Sequence, residues 1–242
     1  MLEKMEGEKI IKHNKALPDF ITQEEFEKLF AEIIIIEKKA SPRRKKRLKQ
    51  YRLAILLGCE AGMRISEIVG LKELISKCHD ASLTERRIEE NGRKLKYFFC
   101  SVCHKKLISQ KDYYRGGDWR IFPLNKKQID LKGHSIKIIG GKGRKDRVVP
   151  LPKRFNNIAL QILPLIISRR AFQSFVNEIG KKVLNKNIHV HTLRHSSFSH
   201  MAGKGIPLHE IQMLAGHANL STTGIYLHAN PKLTIEKARE VF

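Results

Sequence analysis

The sequence predicts a mainly α domain with a small antiparallel β-sheet, an α+β fold interrupted by an inserted cysteine-containing subdomain. Three observations lead there. Apolar residues recur at helical spacing toward both ends of the chain. Between them, IDLKGHSIKIIGGKGRKDRVVPLP places short β-type runs on either side of a glycine-rich turn. A stretch of different character, 73–126, holds Cys78, Cys100, Cys103 and the single tryptophan, Trp119.

Taken in order, residues 1–17 are polar and lysine-rich and read as an arm that ends at Pro18. ITQEEFEKLFAEI then opens a helix. Thr22 is its expected N-cap, with Glu25 three residues on completing a capping box, and Phe26, Leu29, Phe30 and Ile33 form the buried stripe. SPRRKKRLKQYR feeds a second helix whose inner side is Tyr51, Leu53, Ala54, Leu56 and Leu57, with Gly62 as a stop and Arg64 just beyond. Cys59 sits in this apolar helix as a core residue. Ile136 and Ile138 before it and Val148 and Val149 after it flank the polar GGKGRKDR, a hairpin signal with Lys142 and Lys145 near its tip. The stretch from Phe155 to Leu184 is apolar at roughly helical period. HTLRHSSFSHMAGKG starts a helix near Thr192. IPLHEIQMLAGH is a short helix with Leu208, Ile211 and Leu214 inward, closed by Gly216. Ser221 or Thr222 caps a further helix carrying Tyr226, and PKLTIEKAREVF forms a last amphipathic one.

Charge narrows the function. Lys and Arg number 47 against 24 acidic residues, a formal net charge of +23. Such an excess works against a compact fold through self-repulsion unless a polyanion is the partner, and nucleic acid is the leading one. The longest apolar runs, such as Ile33–Ile36 and Leu53–Cys59, are too short to span a bilayer. Four cysteines and no charged-then-apolar leader point to a reducing, cytoplasmic setting.

Arg64 after a helix, Lys142 on a hairpin tip, His191-x-x-Arg194 opening a helix, His217 after a glycine and Tyr226 on the next helix make up a set suited to phosphodiester transfer without a metal. Two guanidiniums can grip non-bridging oxygens. Histidines and a lysine can move protons, and a tyrosine can attack phosphorus. AGMRISEIVGLK, GGKGRKDRVVPLP, HTLRHSSFSHMAGKG and LAGHANLSTTGIYLH, in that order, resemble the four signature regions of the tyrosine site-specific recombinases, the phage integrase and Xer-type family. The resemblance implies a tyrosine recombinase catalytic domain over 18–242, interrupted by the 73–126 insertion. It implies that Arg64 and Arg194 clamp the scissile phosphate and that Lys142 protonates the leaving 5′ oxygen, with Lys145 a rival on the same turn. His191 would assist proton transfer at the tyrosine, His217 would hydrogen-bond the phosphate, and Tyr226 would attack. The implied activity is that of a DNA strand transferase acting on double-stranded DNA and self-assembling as a dimer or tetramer on it. Two other readings use the same features: a type IB topoisomerase-like nicking and closing enzyme, and a DNA-binding relic that regulates recombination.

The chain departs from the family pattern twice. Family members carry an N-terminal helical DNA-binding domain ahead of the catalytic one, and no such core-binding domain is evident before Pro18. The insertion also separates Arg64 from Lys142. It contains FFCSVCHKKL, so Cys78, Cys100, Cys103 and either His104 or His79 could hold a structural zinc. The Cys-x-x-Cys-His string also has the form of a haem attachment, which a basic cytoplasmic chain disfavours.

Overall fold

The structure is a computed structural model that describes residues 20–70, 72–76, 78–79, 83–109, 118–121, 123–139 and 146–216. The N-terminal arm, the hairpin tip with Lys142 and Lys145, His217, the Tyr226 segment and the final amphipathic stretch lie outside the described residues.

Helix α1 (Gln23–Lys39) begins with the expected capping box. The Glu25 amide donates to Thr22 Oγ1, and the Thr22 amide donates back to the Glu25 carboxylate at 2.9 Å. Its buried stripe is Phe26, Leu29, Phe30 and Ile33. Just ahead of it, the Ile21 amide donates to Ser196 Oγ at 2.8 Å, and His200 Nε2 donates to the Ile21 carbonyl at 2.8 Å. The start of the described chain is thereby strapped to a helix about 175 residues away.

Helix α2 (Pro42–Glu60) has two characters. Its first turns, Arg43–Arg47, are exposed and basic, whereas from Leu53 to Cys59 every residue is buried. That apolar run loses its one-sided stripe because other helices cover it on several sides, α1 among them. After the short α3 (Ile65–Val69), the chain enters strand β1 (Lys72–Ile75), which pairs antiparallel with β5 (Asp118–Ile121). Between them β2 (Leu83–Glu90), β3 (Arg93–Cys100) and β4 (Lys106–Ser109) form a second antiparallel sheet. The two ends of this stretch are drawn together beside α3, where the Leu124 amide donates to the Ile68 carbonyl at 3.1 Å.

A third sheet follows: β6 (Ile129–Asp130), β7 (Ser135–Ile138) and β8 (Arg147–Pro150). Its β7–β8 pair is antiparallel, as expected from sequence, with Ile136 opposite Val149 and Ile138 opposite Arg147. Ile136, Ile138 and Val149 point into the core.

The C-terminal region is helical, with one boundary correction. The apolar run from Phe155 to Leu184 forms two helices, α4 (Asn157–Ile162) and α5 (Arg169–Leu184), rather than one. Pro164 lies in the break, where it has no amide to donate and cannot continue a helix. Helix α6 (Val190–Gly203) starts near Thr192, as expected, with His189 as its N-cap. Thr192 occupies the third helical position, and its hydroxyl accepts from the His189 amide at 3.1 Å. Helix α7 (Leu208–Ala215) ends at Gly216 in the left-handed conformation, with Ile211 fully buried and Leu208 and Leu214 partly so. Among the described residues no helix is long and apolar enough to cross a membrane.

Candidate active site

Three stretches far apart in sequence converge: the Gly62–Arg64 turn, the first turns of α6 and the C-terminal end of α7. The turn depends on Gly62. Its φ of +63° suits glycine, and a Cβ there would lie 2.7 Å from the Phe198 ring of α6. The backbone therefore approaches α6 closely enough for Arg194 to reach it.

Arg194 is 5% exposed. Its guanidinium donates to the Gly62 carbonyl from one nitrogen and to the Ala215 carbonyl from another, and sits 4.7 Å from the Phe198 ring centroid. Ala215 is in the last turn of α7, where carbonyls lack helical partners and the helix dipole is negative, so a buried cation is favoured there. One side chain thus ties the Arg64 turn to the end of α7.

A second guanidinium makes a parallel tie. Arg147, at the start of β8, donates from Nε to the Leu214 carbonyl at 2.9 Å and from Nη2 to Glu67 Oε2 at 2.7 Å. Glu67 also receives the Arg64 amide at 2.8 Å and Arg64 Nη1 at 3.0 Å. Its carboxyl group is buried, which alone would raise its pKa. The hydrogen bond and charge of Arg147, with the amide and guanidinium of Arg64, outweigh that and hold it below the ordinary carboxylate range. Removing one partner of such a buried pair costs about 3–5 kcal/mol, because the remaining charge is left uncompensated. Glu67 therefore orients Arg64 through one N–H of its fork.

His191 is exposed on the first turn of α6, within reach of the charges of Arg194 and Arg64. The start of the helix is held by α5, where Gln173 Oε1 accepts from the Val190 amide at 3.1 Å and Gln173 Nε2 lies 3.1 Å from His189 Nδ1. Partial desolvation, then the charges of Arg194, Arg64, Arg169 and His189, lower the pKa of His191. Its imidazole is accordingly neutral at neutral pH and able to accept a proton.

Of the six residues selected from sequence for catalysis, the structure gathers Arg64, His191 and Arg194. Lys142, His217 and Tyr226 lie outside the described residues; Gly216, next to His217 in sequence, closes α7 beside the carbonyls that Arg147 and Arg194 hold. Two polar residues of the site, Glu67 and Arg147, were missed from sequence. Glu67 carried a legible signal, an acid three residues after the helix-capping Arg64. Arg147 carried none, since its partner is 80 positions away.

Three of the cysteines form a separate group in the 72–121 stretch. Donor atoms of Cys78, His79, Cys100 and Cys103 all lie within 4.8 Å of one another. His104 is not among them, so of the two histidines left open by the sequence the structure brings in His79. Ser76 Oγ, 3.3 Å from Cys100 Sγ, and the amides of Cys103 and Val102 bring the Cys100 thiol down to about 5. Cys59 is buried in the main core, as expected, and burial pushes its thiol far up.

Comparison with known proteins agrees with this fold. The phage integrase family matches residues 165–232. The tyrosine recombinase XerC of Bacillus pumilus (strain SAFR-032) is 31% identical over 222 residues, covering 90% of this chain and 60% of that protein. Among solved structures, the XerA recombinase superposes with a TM-score of 0.52 at 18% identity, covering 93% of this chain and 65% of the other. The XerH site-specific recombinase bound to palindromic difH substrate, a post-cleavage complex, gives 0.51 at 24% identity, covering 93% and 54%. The chain spans less than two thirds of the length of the curated relatives it matches. Fold and matches together define an integrase-type catalytic domain. More specifically, the chain carries a tyrosine recombinase catalytic domain.

Proposed function

We propose that this chain is the catalytic part of a site-specific DNA recombinase that cleaves and rejoins double-stranded DNA through a 3′-phosphotyrosyl intermediate. The observation that carries the reading is the anchoring of Arg194 on the Gly62 carbonyl, two residues from Arg64, which brings guanidiniums from elements about 130 residues apart near one another and near His191, whose pKa both lower. Paired forks of this kind match the non-bridging oxygens of a phosphodiester and the charge that grows on them during transfer.

In the proposed step the Tyr226 oxygen attacks phosphorus as His191 takes its proton. The phosphorus–5′-oxygen bond breaks, and Lys142 gives a proton to the departing oxygen. Arg64, Arg194 and His217 hold the phosphate. The new tyrosyl ester conserves the phosphodiester, so a 5′ hydroxyl can reverse the attack without ATP. No metal takes part; a zinc held by the cysteine cluster would be structural and outside this chemistry. Assembly as a dimer or tetramer on DNA and a cytoplasmic setting belong to the same proposal, and the DNA-bound XerH relative supports the choice of partner. So does an open groove of about 560 Å³ lined by Arg43, Arg44, Lys46 and Arg47.

The test is a nicked suicide duplex, which loses the short 5′-hydroxyl strand after cleavage and so traps the ester. A covalent protein–DNA band on a denaturing gel supports the proposal. Tight binding with no band on any substrate would favour a DNA-binding regulator, and relaxation of supercoils without resolution of four-way junctions would favour the topoisomerase reading. Binding should weaken with a steep log–log slope in salt, since phosphate contacts release counterions. A flat response would remove DNA as the partner of the basic surface.

The lowered pKa of His191 sets a pH dependence. Protonation removes its ability to accept the tyrosine proton, so single-turnover cleavage should fall as pH drops, with a midpoint below 6.5. In His191→Asn that acid limb should vanish along with most of the rate. A limb that persists unchanged in the variant would assign it to another group.

A further inference from the structure

We propose that Cys78, His79, Cys100 and Cys103 form a tetrahedral structural zinc site that clasps the two sheets of the 72–121 stretch. The distances suit the metal. Cys78 Sγ and Cys103 Sγ are 3.7 Å apart, as are Cys100 Sγ and His79 Nδ1. Zinc–thiolate bonds of about 2.3 Å at tetrahedral angles require sulfur–sulfur edges of about 3.8 Å. A disulfide would need sulfurs about 2.05 Å apart.

The backbone is shaped for a ligand loop. Cys100 ends β3, its amide donates to the Lys105 carbonyl at 3.0 Å, and the His104 amide donates to the Cys100 carbonyl at 3.0 Å. Inside that turn the Val102 amide points at Cys100 Sγ at 3.4 Å, a donor that favours a thiolate. Closing the turn requires a left-handed residue, and His104 fills that place with φ +56°. His104 is therefore a turn residue, and the imidazole ligand comes from the other side of the site. The haem reading of the same string also fails, because Cys100 is fully buried and its sulfur faces Ser76 and His79 rather than solvent.

This stretch has reason to use a metal. Along β2 and β3 only Tyr97 and Cys100 are buried, a small core for strands of this length. Cys78 and His79 follow β1, whereas Cys100 and Cys103 flank the β3–β4 turn. One ion between them joins the sheet that leaves α3 to the sheet beyond it. Three thiolates and one imidazole select zinc over harder cations.

The full chain, purified under reducing conditions, should carry one zinc per molecule by elemental analysis. Metal-stripped protein titrated with Co2+ should develop the visible bands of tetrahedral thiolate coordination, saturating at one equivalent and bleached by Zn2+. His79→Ala should weaken Co2+ binding at least about tenfold, since losing even an outer partner of a ligand costs that much. His104→Gly should leave it unchanged. Proteolysis within 72–121 should become faster on stripping and recover with zinc. Absence of stoichiometric zinc and of cobalt bands would overturn the site, as would weakening by His104→Gly with none by His79→Ala. The titration uses wild-type protein, so a folding failure in a cysteine variant would not obscure it. It reads the metal without DNA, so its outcome is separate from that of the cleavage test.

Discussion

Tyr226→Phe is expected to abolish covalent attachment to a suicide duplex while leaving DNA affinity close to that of the unaltered protein. Phenylalanine keeps the ring and loses one oxygen, so a tyrosine that only packs would be replaced at little cost. A nucleophile cannot be replaced this way: removing the attacking atom of a catalytic set lowers turnover by about 10⁴-fold or more. The ordinary tyrosine pKa near 10 leaves about one molecule in a thousand ionised at neutral pH. Attack therefore needs a proton acceptor, and the depressed pKa of His191 supplies one. The comparison is made by trapping on nicked duplexes and by equilibrium binding measured in parallel. A trapped band of unaltered yield in the variant would remove Tyr226 from the chemistry, and loss of binding along with trapping would show that its role is structural.

How legible the protein was depended on how local each feature is. The Thr22–Glu25 capping box and the left-handed glycines at 62 and 216 follow from residue types within a few positions, and the structure has them. The start of α6 near Thr192 was also legible, and the Thr192 hydroxyl receives the His189 amide from inside the first turn. The break between α4 and α5 carried its own signal in Pro164, which the apolar periodicity around it masked. Ligand choice in the 72–121 stretch was ambiguous for a different reason. His104 is adjacent to Cys103 in sequence, yet the turn that presents the thiols directs the backbone away, and His79 arrives from another sheet. Within the site, Arg64, His191 and Arg194 could be selected by motif, whereas the Glu67–Arg147 pair and the carbonyl contacts of Arg194 arise only when separate elements pack.

Arg194→Ala should have the second largest effect, and through two routes that a pair of measurements can separate. The guanidinium is buried, donates to carbonyls on two elements and lies over Phe198. Truncation leaves the Gly62 and Ala215 carbonyls without that partner and opens a cavity above the ring. Each buried acceptor left unpaired costs about 1–3 kcal/mol, so a loss of roughly 3 kcal/mol in unfolding free energy is expected by denaturant titration. Cleavage should fall further, by about 10³-fold under conditions where the variant is still folded, because a donor to the developing phosphate charge is lost and the Arg64 turn loses its tether. Arg194→Lys separates the two routes. An ammonium can keep the charge and one carbonyl contact, which should recover part of the stability, but it has no planar fork to span both carbonyls and the phosphate. Cleavage in Arg194→Lys should therefore remain at least about tenfold below that of the unaltered protein even where stability is largely restored. If rates in both variants instead track the folded fraction alone, Arg194 is a structural tie between the turn and α7, and the phosphate clamp must be sought in Arg64 and residues beyond Gly216.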